Sequence, residues 1–459
     1  MTTELQPQIT ERGERPQPAP TYAEITRDIA ATIGNPSRGY FILMAFVLAV
    51  LGAGVFALLW QIRYGLGVAG YTPPVFWGVY ITTFVFWVGI AHSGTLISAI
   101  LYLFRSAWRT AVYRTAEVMT VFAVLTAGLF PLIHVGRLWY AYWLIPYPNQ
   151  RQLWVNFKSP LVWDVFAVTT YLTVSTLFLI VGLVPDVAAL RDKATGWRKK
   201  LYEATALGWK GSDTQWRHYT RAYLYLAALA TPLVLSVHSV VSWDFAMSIV
   251  PGWHTTIFAP YFVAGAIYSG VALVITLITP LRKVFRMERY IRVEHYENLA
   301  KLMLLTGMIV GYAYVIEYFV AWYSGNPFER ASFWNRAFGD YWWATWTMII
   351  CNGVLPLLLW FRPIRRSIPA LFLLSLFVNL GMWFERFVII VVSLSFEYEP
   401  YAMGHYTPSW VDWTILAGSF AWFFMWFLLF AKNFPTVSIT EVKEIIPMPR
   451  MPRKKGAHP

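Results

Sequence analysis

Ten apolar stretches, each roughly 20 to 30 residues long and separated by short polar connections, limit what this chain can fold into. A helix needs about 20 such residues to cross a hydrocarbon core of about 30 Å. Inside that core every backbone N–H and C=O must be satisfied within the segment, which leaves helices as the economical solution. The stretches lie near 40–62, 75–104, 113–136, 160–184, 219–243, 257–280, 297–323, 341–361, 368–396 and 410–431. Composition agrees: 57% of residues are hydrophobic and 13% charged, about half the charged share of a soluble domain. The expected fold is an all-α polytopic membrane protein. Pro73-Pro74 before the second stretch, Ser159-Pro160 before the fourth, and Ser367 with Pro369 at the ninth are helix-start signals.

A net charge of +13 invites a nucleic-acid reading, but the basic residues are spread over many short loops and report topology instead. With the N-terminus inside, the inner segments hold thirty of the 37 Lys and Arg residues and the outer loops hold six. The outer six are Arg63, Arg137, Arg151, Lys158, Arg330 and Arg336; Arg386 lies within a span. That asymmetry predicts that both termini are cytoplasmic. The Pro-rich residues 1–39 contain no apolar run of signal-peptide type, so no cleavable signal is expected. The single cysteine, Cys351, excludes an intrachain disulfide, a cysteine-held iron–sulfur cluster and a C-x-x-C-H haem attachment in this chain.

An internal repeat is visible. His92-Ser93-Gly94 leads into the end of the second span as Tyr268-Ser269-Gly270 does in the sixth, and Trp139-Tyr140 closes the third as Trp322-Tyr323 closes the seventh. The alignment sets His134 against Glu317. The predicted organisation is a polar tail at 1–39, a first span and outer loop at 40–74, and a four-helix bundle at 75–245 holding the functional site. A second four-helix bundle follows at 246–396, then a last span at 397–431 and a basic tail at 432–459.

An ionisable side chain within a span is costly to insert and needs a reason. The candidates are His92, His134, Asp164, His238, Asp244, Glu317, Glu385 and Arg386. On the predicted topology most converge on the outer half, and His92 lies near mid-depth. Each has a plain structural reading. His134 is beside the interfacial Arg137 and Trp139, Asp164 is one turn below the outer surface where a carboxylate suits the helix dipole, and Asp244 follows a helix end. His92 and His238 suit helix-to-helix hydrogen bonds. Glu385 and Arg386 project about 100° apart as helix neighbours, so each is expected to need a partner elsewhere. Taken together the set also suits quinol oxidation, which needs a proton acceptor such as His with a nearby carboxylate, and an apolar aromatic pocket open to lipid.

The segment ending AHSGTLISAILYLFR at Arg105, the segment 130–168, the segment 236–270 and NLGMWFERFVI at 379–389 resemble the polysulfide-reductase membrane subunits of the NrfD/PsrC family. They are most similar to its ActC branch, the quinol-oxidising subunits of bacterial alternative complex III. The resemblance implies a subunit of a respiratory or photosynthetic electron-transfer complex in the bacterial inner membrane. It implies quinol oxidation in the first bundle, near the periplasmic face, with electrons passing to an iron–sulfur subunit docked there. A multihaem cytochrome c subunit and a paralogous membrane subunit are the further partners it implies. His134 and Asp164 would be the catalytic pair, with Asp244 and Arg137 also binding quinol, whether menaquinol or ubiquinol. A proton route would use His92, Ser93, His238, Glu317, Glu385 and Arg386, with Tyr314 and Tyr318 in reach of Glu317. No metal, haem or iron–sulfur cluster is expected in this chain. The competing readings are the paralogous proton-conducting subunit, a b-type cytochrome and a secondary transporter. His92, His134 and His238 stand one to a span rather than in haem-spaced pairs, and most of the polar groups gather on the outer side rather than at the midplane where transporter sites lie.

Overall fold

The computed structural model describes residues 20–34, 36–145 and 158–445. Within them are ten helices long and apolar enough to cross a bilayer, and no strands. They are α1 (Arg38–Tyr64), α2 (Val79–Leu103), α3 (Tyr113–His134), α4 (Pro160–Arg191), α5 (Asp213–Ala246), α6 (Phe258–Val284), α7 (Val293–Tyr323), α8 (Trp342–Trp360), α9 (Ile368–Val392) and α10 (Trp410–Asn433). All ten expected spans are present. The largest departures are in α4 and α5, which continue past their apolar stretches to Arg191 and begin early at Asp213. A helix need not stop where it leaves hydrocarbon, because its hydrogen bonds are internal. Residues 1–19, 35, 146–157 with Arg151, and 446–459 lie outside the described residues.

Helices α2 to α5 pack each against the next, and α5 returns to α2. Helices α6 to α9 close in the same way, with α9 returning to α6. The two rings meet where α2 packs on α6 and α9. Gly270 makes room for that crossing, since a Cβ there would strike Ser93 and the Ile90 carbonyl of α2. An indole donor crosses the same seam, Trp383 Nε1 to Thr83 Oγ1 at 3.3 Å, and Trp87 Nε1 ties α2 to α10 through Ser419 Oγ at 3.2 Å. Helix α1 lies along α10, and the two touch backbone to backbone at Gly54 and Gly418.

Three spans contain a π-helical turn: α2 at Leu96–Ile100, α8 at Ile349–Val354 and α9 at Val388–Val392. Such turns are uncommon and concentrate at functional sites. At the end of the molecule opposite His134, the short helix Ile439–Ile445 packs against the turn Ala107–Ala111 before α3, against α4 and against the helix Tyr22–Ala31.

Candidate functional site

His134 ends α3. The helix breaks at Gly128 and resumes for one short turn, Leu129–His134, before Gly136 reverses the chain at φ 83°. The imidazole is half-buried, and its Nδ1 is buried with no hydrogen-bond partner. The ring of Tyr71, from the α1–α2 connection, stands edge-on to it at 5.9 Å. Tyr71 in turn stacks on Tyr406 at 5.4 Å and meets Tyr80 edge-on at 5.8 Å. Burial, with the nearby Asp412 charge, pushes the Tyr71 hydroxyl well above the usual phenol range, so it stays protonated. Arg137 is exposed, its guanidinium 5.9 Å from the Trp139 ring centre.

Asp164 and Asp244 come together. They stand on the packed helices α4 and α5, and Oδ1 of each is buried with no hydrogen-bond partner. The preceding residues, Trp163 and Trp243, meet edge-on at 6.0 Å beside the pair. Among the described residues no hydrogen bond, ion pair or ring contact joins His134 to Asp164 directly.

A second group lies where the two rings of helices meet. His92 and His238, single on their own spans, approach to 4.5 Å between ring centres. His92 Nδ1 is 2.6 Å from the Val88 carbonyl, while His92 Nε2 and both nitrogens of His238 have no partner. Rings this close leave no room for a porphyrin plane between them. Tyr171 flanks His92 at 5.2 Å, and its hydroxyl meets Thr95 Oγ1 at 2.7 Å. Ser93 is buried against α6, its hydroxyl unpaired. On the other side of His238 is Phe262, 5.8 Å away, which carries the Arg386 guanidinium on its face at 4.4 Å.

Two expectations about this region are corrected. Glu385 and Arg386 do satisfy each other, with Arg386 Nη1 donating to Glu385 Oε1 at 2.5 Å. Their Cβ atoms diverge, but both side chains are long enough to curl back. Tyr314 does not serve Glu317; its hydroxyl donates to Glu385, and Asn352 Nδ2 donates to Tyr314 at 3.0 Å. Glu317 is buried with Oε1 unpaired, and Tyr318 also lacks a partner for its hydroxyl. Glu317 lines a cavity of about 180 Å³ together with His254, Glu329 and Phe333. Arg336, expected in a loop, is buried and donates to Ser393 Oγ at 2.8 Å and the Gly252 carbonyl at 3.2 Å.

With this arrangement established, comparison with known proteins places it. The family model for polysulphide reductase, NrfD, matches residues 67–396. The chain belongs to the NrfD family. Its relatives include a Halobacterium salinarum protein, provisionally assigned as a membrane subunit of dimethyl sulfoxide reductase, which is 28% identical over 78% of each chain. The Hdr-like menaquinol oxidoreductase integral membrane subunit of Archaeoglobus fulgidus is 21% identical over 90% of this chain and 98% of its own. The menaquinone reductase integral membrane subunit of Nitratidesulfovibrio vulgaris is 22% identical over 82% and 86%. The NrfD match spans both rings of helices and leaves α1 and α10 outside it.

This NrfD protein also contains an ionic cluster that reading the sequence missed. Arg114 Nη1 and Nη2 reach Glu117 at 3.2 Å and Asp186 at 3.1 Å, and Tyr223 donates to Glu117 at 2.9 Å. Arg109 pairs with Glu441 at 2.6 Å, and Thr440 donates twice to Asp186, at 2.9 and 2.8 Å. The missed signal was an Arg and a Glu three residues apart at the start of α3, opposite an Asp near the end of the antiparallel α4. A cleft of about 750 Å³ lies beside this cluster, lined by Trp209, Lys210, Trp216 and Lys443. The groups of three or more His, Cys, Asp or Glu that a metal ion requires are absent among the described residues.

Proposed function

We propose that this chain is the quinol-oxidising membrane subunit of an electron-transfer complex, of the ActC type, with its site at the His134 end of the first bundle. The observation that carries the reading is His134, an imidazole with a buried, unpaired Nδ1 at the end of a span and against aromatic rings. A neutral imidazole nitrogen in that state is suited to take a hydroxyl proton from a quinol ring. Oxidising one quinol releases two protons and two electrons. His134 takes one proton, and a carboxylate of the Asp164–Asp244 pair takes the other. The electrons leave to an iron–sulfur partner on the periplasmic face and onward to a multihaem cytochrome c. The menaquinol and menaquinone names of two relatives favour menaquinol over ubiquinol as substrate.

On this reading the functional division is a quinol-binding unit at 75–245 and a second unit at 246–396 beside a paralogous membrane subunit. Both termini face the cytoplasm of a bacterial inner membrane, and Arg137 is at the mouth of the site. The buried groups His92, Ser93, His238, Arg386, Glu385 and Glu317 serve proton transfer between the two units. The Phe262 ring interrupts that line, so the transfer needs water or side-chain movement at that point. The reading is tested in the purified complex with His134→Ala and Asp164→Asn. Each is expected to lower quinol oxidation at least tenfold, about 1.4 kcal/mol of barrier, with assembly intact. Wild-type rates in both would move the site elsewhere.

A further inference from the structure

Helix α1 is the most lipid-exposed of the ten spans, yet it ends in a fully buried amide, Gln61. Both ends of that amide are engaged. Gln61 Nε2 donates to the Ile133 carbonyl at 2.9 Å, and Gln61 Oε1 accepts the Tyr80 hydroxyl at 2.6 Å. Ile133 immediately precedes His134, in the last turn of α3, where carbonyls lack the amide four residues on that would normally satisfy them. The same carbonyl accepts the Gly136 N–H at 3.0 Å. Its two lone pairs are therefore both filled, one by the turn itself and one by α1. Tyr80, also fully buried, holds the other end of the amide and meets Tyr71 edge-on, and Tyr71 meets His134. Gln61 thus reaches the imidazole by two routes, through the Ile133 peptide and through the Tyr80–Tyr71 ring contacts.

We propose that Gln61 is a positioning residue for His134, fixing the direction of the imidazole from a helix that belongs to neither bundle. The inference rests on the quinol reading of His134. An apolar side chain at 61 would leave the Ile133 carbonyl one partner short and strand the buried Tyr80 hydroxyl. The final short turn of α3 would then relax, and the imidazole would lose its set against Tyr71. Simple anchoring of α1 to α3 is the competing role, and it has a different signature.

The test uses the purified complex and a fluorescent quinol-site ligand, 2-heptyl-4-hydroxyquinoline N-oxide, so that binding is read without turnover. Gln61→Met, close to glutamine in size but without the amide, is expected to weaken binding at least fivefold. Tyr80→Phe should act in the same direction with a smaller effect. In a His134→Ala background, Gln61→Met should add nothing further, because the group it positions is gone. Unchanged binding in assembled Gln61→Met would overturn the proposal, and so would an equal loss in both backgrounds, which is the signature of anchoring. If Gln61→Met does not assemble, Tyr80→Phe in the two backgrounds decides by the same criteria. Normal binding and turnover in His134→Ala alone would remove the quinol reading itself, a failure distinct from that of Gln61.

Discussion

The two ends of the first bundle handle buried polarity in opposite ways. At the Arg114 end, each charged group of the cluster has an opposite charge within 3.2 Å, and the chain's own Ile439–Ile445 helix completes the set. At the His134 end, His134, Asp164 and Asp244 have no opposite charge paired with them among the described residues, and His134 Nδ1 and Oδ1 of each Asp are buried without a hydrogen-bond partner. Removing one partner of a buried ion pair is costly because the other stays charged and uncompensated, so the first arrangement holds the fold. The second has no counter-charges of its own, which on the quinol reading leaves its groups free to meet a substrate. Buried polarity alone therefore does not separate the two ends; the presence or absence of a counter-charge does.

The contrast can be broken most directly at Arg114. Arg114→Met leaves Glu117 and Asp186 close together without their cation, and a loss of about 3–5 kcal/mol is expected. The yield of assembled complex and its thermal unfolding in detergent check this; a stable, fully assembled variant would show that the cluster does not hold the fold. At the other end the expectation reverses. His134→Ala should leave assembly and melting close to wild type while quinol oxidation falls at least tenfold, so parallel losses of stability and rate would erase the distinction. A finer measurement concerns the acid pair. Asp164→Asn and Asp244→Asn should be strongly non-additive in quinol oxidation, the double variant no slower than the worse single one, because residues acting as one unit couple. Additive losses would mean that the two carboxyl groups work separately. The smallest effect is expected at Glu317. Glu317→Gln should oxidise quinol normally in reconstituted vesicles but release fewer protons per electron, and an unchanged ratio in an assembled variant would exclude it from the proton route.

The spans were legible because hydrocarbon enforces a simple rule, and hydropathy with the Lys/Arg bias reads that rule directly. His134, Asp164 and Asp244 stood out for the same reason, as ionisable groups where the solvent is lipid. What escaped notice was polarity that does not ionise or that lies at a span's edge. Gln61 carries no charge, so a search for charges passes over it, although a buried amide must be satisfied as strictly. Arg114 and Glu117 sit in the first turn or two of the third stretch and Asp186 just past the end of the fourth, where a charge at a span's edge attracts no notice. The Glu385–Arg386 pair failed differently: helical geometry predicts where Cβ atoms point, but the reach of long side chains decided the contact.

The crossing of α1 and α10 at Gly54 and Gly418 has a consequence for how the sequence can vary. A Cβ built at Gly54 would fall 2.8 Å from the Gly418 Cα, and one built at Gly418 would fall 2.9 Å from the Gly54 Cα. Neither position can grow without the helices separating. Neither can compensate for the other, because a glycine has no side chain left to give up. In sequence space the pair has no neutral neighbours: every single step from it, and every double step, runs uphill. Because α1 carries Gln61, which bonds the Ile133 carbonyl, drift at these two glycines would, on the positioning proposal, be felt at the imidazole of His134.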